Sequence, residues 1–143
     1  MVTFYETIKE GTARGKLVGG NLSLFTKLVT GKYKVDVKGK ILFLEELGVE
    51  SSPEKVNSDI YYLKQNGVFD EIAGLWIGNY EHPSKISLEE IIYNAIGAEA
   101  SYPIIKSNNF GHINQKSIIP IGAEAKIDTK EKIKINLVEQ VII

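Results

Sequence analysis

Two carboxylates follow directly on a wholly apolar run: Ile41-Leu42-Phe43-Leu44 leads into Glu45 and Glu46. Further along, a histidine stands on an asparagine- and glycine-rich turn, Asn108-Asn109-Phe110-Gly111-His112, after the apolar Pro103-Ile104-Ile105. In α/β sheets, functional groups collect beyond the carboxyl ends of parallel strands, and both stretches stand just past such ends. A carboxylate facing an imidazole there is two thirds of a nucleophilic triad. The acid fixes the ring's tautomer and stabilises the imidazolium, and the ring takes the nucleophile's proton. On position alone a plainer reading carries more weight, with Glu45 and Glu46 beginning a solvated loop and a lone histidine structural or idle.

The nucleophile is missing from this pattern. The chain has no cysteine, and no serine lies in the G-x-S-x-G elbow that exposes a hydroxyl on a strained strand-to-helix turn. Ser23, in Gly19-Gly20-Asn21-Leu22-Ser23, falls one turn inside a predicted helix and reads as a surface or packing residue. With two histidines and no acidic cluster of loop-ligand spacing, neither a metal nor another cofactor is expected. The four glycines of residues 11–21 form neither a Walker pattern nor a complete G-x-G-x-x-G. They read as a strand with glycine-permitted turns rather than a phosphate cradle.

The elements that must position these residues belong to one domain. A chain of 143 residues, 43% hydrophobic and 24% charged, has the profile of a single globular unit able to bury a core without disulfides. A net charge of −1 gives no basic footprint for nucleic acid. The start, Met-Val-Thr-Phe-Tyr-Glu, lacks a secretory pattern, and no run approaches the roughly 18 apolar residues of a membrane span. A cytoplasmic protein without membrane contact is the expectation.

Asn21 is placed to cap a helix over Leu22 to Val29, closed by Gly31. The unbroken apolar character of Ile41 to Leu44 implies a strand buried on both faces. Ser52-Pro53, or a competing box from Ser51 to Glu54, opens a helix with Val56, Ile60 and Leu63 on one face and Gly67 at its end. Ile72 to Ile77 reads as the next strand, with Trp76 in the core. After a loop carrying Tyr80, Glu81 and His82, Ser87-x-x-Glu90 opens a further helix with Ile91, Ile92, Ala95 and Ile96 inward. The alternation of strand and helix predicts βαβ units and a mostly parallel central sheet with flanking helices. Ser117 to Ile121, Ala123 to Ile127 and Lys132 to Val138 read as short strands. The last has Ile133, Ile135 and Leu137 inward, and an antiparallel hairpin turns at Asp128 to Glu131.

Taken together, Gly15-x-Leu17-x-Gly19-Gly20-Asn21-Leu22, Ile41-Leu42-Phe43-Leu44-Glu45-Glu46, Pro53-x-Lys55-Val56, Phe110-Gly111-His112 and Ile119-Pro120-Ile121-Gly122 resemble, in order and spacing, the C-terminal domain of LD-carboxypeptidases. These muramoyltetrapeptide carboxypeptidases include the microcin C immunity hydrolases, and the likeness runs from about Gly11 to Lys132. The resemblance implies a swivelling β/β/α-type domain and a serine hydrolase with a Ser-His-Glu triad divided between two domains. Glu45 would be the triad acid and His112 the base. The serine and the oxyanion donors would belong to an N-terminal domain absent from this chain, so the chain by itself is expected to be inactive. Asn21, Tyr80, Glu81 and His82 are weaker candidates for lining the cleft.

The departures bear on substrate. The family usually has Glu-Asp where this chain has Glu45-Glu46, the loop from Leu47 to Ser52 is longer, and an arginine early in the next helix is absent, with Asn57 and Ser58 in that region. The segment from Leu63 to Gly74 looks more like the microcin-immunity branch. The resemblance implies a small muropeptide-like substrate with an L,D-amide, and these departures keep peptidyl- or aminoacyl-nucleotides, or a non-catalytic binding module of the same fold, as alternatives. An apolar face left open by the missing domain makes a homodimer a further expectation.

Overall fold

Ile41–Glu45 is buried along its whole length and lies at the centre of the sheet. In the computed structural model, which describes residues 3–114 and 116–138, seven strands are found among the described residues: β1 (Tyr5–Lys9), β2 (Thr12–Asn21), β3 (Ile41–Glu45), β4 (Gly74–Ile77), β5 (Ile104–Ser107), β6 (Glu124–Asp128) and β7 (Ile135–Leu137). Their order is β1-β5-β4-β3-β2-β6-β7. The pairs β2–β3, β3–β4 and β4–β5 are parallel, whereas β1–β5, β2–β6 and β6–β7 are antiparallel. The class is α/β as expected, but the sheet is evenly mixed rather than mostly parallel.

The mixture has a local cause in β2. Its first half, from Thr12 to Lys16, runs antiparallel to β6, and its second half, from Leu17 to Asn21, runs parallel to β3. One strand thus joins the parallel centre to the terminal hairpin and lets the sheet curl. Gly19 makes the close approach possible: at φ +143° a Cβ there would stand 1.9 Å from the Phe43 carbonyl oxygen.

Alternation along β3 sends Leu42 and Leu44 into one core and Ile41 and Phe43 into another. The first core is covered by helices α1 (Leu22–Phe25), α2 (Pro53–Gln65), α3 (Val68–Glu71) and α4 (Leu88–Ile96), with Val56, Ile60, Leu63, Leu88 and Ile92 facing it. The second is closed by Ala125, Ile127 and Ile135 of the curled hairpin and by Phe110. These are the two β layers and one α layer of a β/β/α arrangement. Ser52 caps α2 by accepting from Lys55 N at 3.2 Å, in preference to the competing box from Ser51. Ser87 and Glu90 form a reciprocal box on α4. Trp76 is core as expected, its ring N–H donating to Ser107 Oγ at 2.7 Å.

Several boundaries differ from expectation. The helix after Asn21 ends at Phe25 and continues as a tighter 3₁₀ turn over Thr26–Leu28. β4 begins at Gly74, not Ile72. β1 has no counterpart in the sequence reading: apart from the exposed Glu6 its residues are half-buried, without the clean alternation that betrays a strand. Residues 117–121 form no strand, because Pro120 has no N–H to give a ladder and Gly122 turns the chain at φ +89°. Of the three residues expected inward on the last strand only Ile135 is buried, while Ile133 and Leu137 are 54% and 46% exposed. Among the described residues β7 pairs with β6 alone and stands at the sheet edge.

Candidate active site

The side-chain period of two that divides the cores also divides the two acids. Glu45 continues the face of Ile41 and Phe43, and Glu46 continues the face of Leu42 and Leu44. Their surroundings differ accordingly.

On Glu45's face, the turn after β5 comes back over the sheet. Phe110 is buried edge-on against Trp76 and Phe43, with ring centroids 4.7 and 5.9 Å away. Asn79, just beyond β4, ties this turn to the end of β3: its N–H donates to Phe110 O at 3.0 Å and its carbonyl accepts from Glu46 N at 3.1 Å. Gly111 then takes φ +111°, and a Cβ there would lie 3.0 Å from Asn79 Cβ and 3.2 Å from Glu45 Cβ. The turn therefore presses onto Glu45 and delivers His112, whose Nδ1 stands 2.7 Å from Glu45 Oε2. A carboxylate only accepts, so Nδ1 carries the hydrogen and, in the neutral ring, Nε2 carries the lone pair. Glu45 is 8% exposed, whereas the His112 side chain is 47% exposed. A sheltered acid holds a base that a second molecule or domain can reach.

Glu46 faces the helices. Its Oε1 accepts from Asn21 Nδ2 at 2.9 Å and Leu47 N at 2.8 Å, and its Oε2 from Ser23 N at 3.0 Å and from the Ser23 hydroxyl in a short bond. Burial pushes this carboxyl's pKa up, but the donors from Ser23, Leu47 and Asn21 outweigh burial and hold it below the usual carboxylate range. Asn21 bridges the two acids, its Nδ2 also donating to Glu45 Oε1 at 3.3 Å. Its Oδ1 caps α1 by accepting from Leu24 N at 3.2 Å. Lys55 Nζ donates to Ser23 Oγ at 2.8 Å and lies 2.8 Å from Asp59 Oδ2.

A cleft of about 610 Å³ opens here, and Asn21, Ser23, Glu46, Glu50, Lys55 and His112 are among its lining residues. Of the weaker candidates only Asn21 lines it. Tyr80 is buried, its hydroxyl donating to Ser51 O at 2.9 Å, where it braces the loop after Glu46. Glu81 is exposed away from the cleft, and His82 Nδ1 pairs with Ser84 Oγ at 2.8 Å. Ser23, read from the sequence as a surface or packing residue, is instead part of the cleft wall. Lys55 and the role of Glu46 were also missed. The spacing of Lys55 and Asp59 on a helix signals an ion pair, but nothing local shows that it reaches Ser23.

Among the described residues no group of three or more histidine, aspartate or glutamate side chains could hold a metal ion. No helix among them is long and apolar enough to cross a membrane.

Residues 14–127 match the family model described as LD-carboxypeptidase C-terminal domain. A protein of Bacillus subtilis (strain 168) named "Probable murein peptide carboxypeptidase" is 33% identical over 128 residues, covering 85% of this chain and 39% of that protein. The structure of the microcin immunity protein MccF in complex with glutamyl sulfamoyl guanosine superposes with a TM-score of 0.82 at 25% identity, covering 95% of this chain and 41% of that one. A muramoyltetrapeptide carboxypeptidase from Oxalobacter formigenes shares the fold with a TM-score of 0.75 at 21% identity, over 95% of this chain and 48% of that one. This chain thus spans less than half the length of each.

Proposed function

We propose a function from the premise that this chain belongs to the LD-carboxypeptidase C-terminal domain family: it supplies the acid and the base of a Ser-His-Glu triad in a hydrolase that cleaves an L,D-amide bond of muropeptides. The observation that carries the reading is the 2.7 Å contact between His112 Nδ1 and Glu45 Oε2, at a cleft that His112 lines. The nucleophilic serine and the oxyanion donors belong to an N-terminal domain, in keeping with the part of its relatives that this chain does not span.

In this reading the serine Oγ attacks the amide carbonyl carbon and its proton passes to His112 Nε2. Glu45 holds Nδ1–H and offsets the charge of the imidazolium. Collapse of the tetrahedral intermediate breaks the C–N bond, and His112 returns the proton to the leaving amine. Water, deprotonated by the same ring, then attacks the acyl carbonyl carbon; as the bond to the serine oxygen breaks, His112 returns the proton to that oxygen and the acid is released. The buried side of the dyad makes the ion pair stronger than it would be in water.

The test is release of the terminal D-amino acid from an L,D-tetrapeptide by this chain joined to its serine-bearing domain. Turnover that depends on both His112 and Glu45 supports the proposal. Turnover unaffected by Glu45→Gln and His112→Ala overturns it, and a total lack of hydrolysis with tight peptide binding favours a binding module.

A second reading is favoured by the close superposition with MccF: the same dyad would act on an aminoacyl-nucleotide conjugate. Trp76 is no base-stacking platform for such a ligand, being buried against Phe110 with its N–H occupied. Parallel assays with an aminoacyl sulfamoyl adenosine separate the two substrates.

A further inference from the structure

Glu46 is the second of two adjacent acids, 3% exposed, yet the reaction described above makes no use of it. Burying a carboxylate is costly unless donors satisfy it, and here four do, drawn from Asn21, Leu47 and Ser23. We propose that Glu46 is a positioning residue for the dyad: it orients the Asn21 amide, which in turn holds Glu45 so that Oε2 is presented to His112. The proposal rests on reading Glu45 and His112 as the catalytic pair.

The donors of one amide set the geometry. Asn21 Nδ2 has two hydrogens, one directed to Glu46 Oε1 at 2.9 Å and the other to Glu45 Oε1 at 3.3 Å. The shorter bond fixes the amide, and the longer one is too weak to fix Glu45 without it. With the amide held, Glu45 Oε1 is engaged and Oε2 remains for the imidazole. Turning the amide over would set Oδ1 against two carboxylates, an arrangement that Glu46 forbids.

Two acids joined through one amide repel each other, and donors at either end offset that repulsion. At one end His112 Nδ1–H donates to Glu45. At the other, Ser23 Oγ donates to Glu46 and accepts from Lys55 Nζ, which is held by Asp59. An unbroken line of contacts thus runs from His112 through Glu45, Asn21, Glu46, Ser23 and Lys55 to Asp59 on α2. A merely structural Glu46, anchoring the first turn of α1 through Ser23 N, would affect stability but leave the tautomer of the ring alone.

That difference supplies the test. The chain has two histidines, so the ring nitrogens of His112 can be followed by ¹⁵N NMR with His82 as an internal reference. In the unaltered chain the neutral His112 ring is expected to carry its hydrogen on Nδ1, with a slowly exchanging, downfield Nδ1–H resonance. In Glu46→Gln that resonance is expected to be lost and the ring to move toward the Nε2–H tautomer, while His82 is unchanged. Should Glu46→Gln not fold, Asn21→Ala, which leaves the other donors to Glu46 in place, is expected to give the same loss. If the unaltered chain itself lacks the Nδ1–H tautomer, the dyad reading falls and this proposal with it. If the unaltered chain shows it and a folded variant keeps it, the dyad reading stands and only the positioning role is overturned.

Discussion

His112 Nδ1 and Glu45 Oε2 stand 2.7 Å apart although the two residues are 67 positions apart along the chain. The contact joins a turn after β5 to the end of the central strand, and its neighbours are side chains of the second core. A base held this way has one ring nitrogen committed, and the other makes no hydrogen bond among the described residues, the state that the proposed triad would need before substrate arrives.

On the proposed dyad reading, Glu45→Gln in this chain joined to a serine-bearing domain is expected to lower kcat by on the order of 10⁴-fold with KM little changed, because a side-chain amide can present its N–H to Nδ1 and stabilise the wrong tautomer. Steady-state kinetics on an L,D-tetrapeptide check this. A loss confined to KM would show that Glu45 binds substrate rather than orienting the base.

Gly111→Ala forces a side chain into φ +111° with its Cβ against Asn79 and Glu45. Such strain costs on the order of 1–3 kcal/mol. Urea unfolding should show that loss of stability, and the Nδ1–H resonance of His112 should weaken with it, because the turn can no longer press onto β3. Wild-type stability with an unaltered ring signal would refute the close approach.

Phe110→Ala removes the ring wedged between Phe43 and Trp76. A buried Phe→Ala change costs about 3–5 kcal/mol. The chain has one tryptophan, so its fluorescence reports the cluster directly: a red shift and a lower unfolding midpoint are expected, and an unshifted spectrum would count against the packing.

Glu46 is held below its ordinary value of 4.5, since the donors around it outweigh burial. A carboxyl whose folded pKa lies below its unfolded one contributes stability that is fully present above the unfolded value and is lost as pH falls through the folded one. The stability gap between the unaltered chain and Glu46→Gln should therefore be constant from neutral pH down to about pH 5 and narrow below it. Denaturant unfolding across pH 3 to 7 measures the gap; one that widens on acidification would reverse the sign assigned to Glu46.

Much of the fold is legible in local sequence because its signals are local. The run from Ile41 to Leu44 announces burial on both faces, and Asn21, Ser52 and Ser87 with Glu90 announce the starts of helices, all found as capped ends. What escaped depends on distant partners. β1 is a strand because β5 offers it an antiparallel edge, and the two halves of β2 differ only in which neighbour each meets. The evenly mixed sheet follows from those pairings, so a reading built on alternating strands and helices overstates the parallel share.

The candidate site divides in the same way. Residue type and strand-end position mark Glu45 and His112 only as candidates, with the plainer reading ahead, and it is the family resemblance that pairs them as acid and base. The sequence by itself also determined that no cysteine is available and that two acids on successive positions must face opposite sides of the sheet. Only the tertiary structure decided which side each met. The β5 turn returns over the face of Phe43 and brings His112 to Glu45, while α1 and α2 cover the face of Leu44 and bring Ser23 and Lys55 to Glu46. The physical reason is that alternation along a strand is a property of the chain, whereas the occupants of each face are set by sheet order and by packing between residues far apart in sequence.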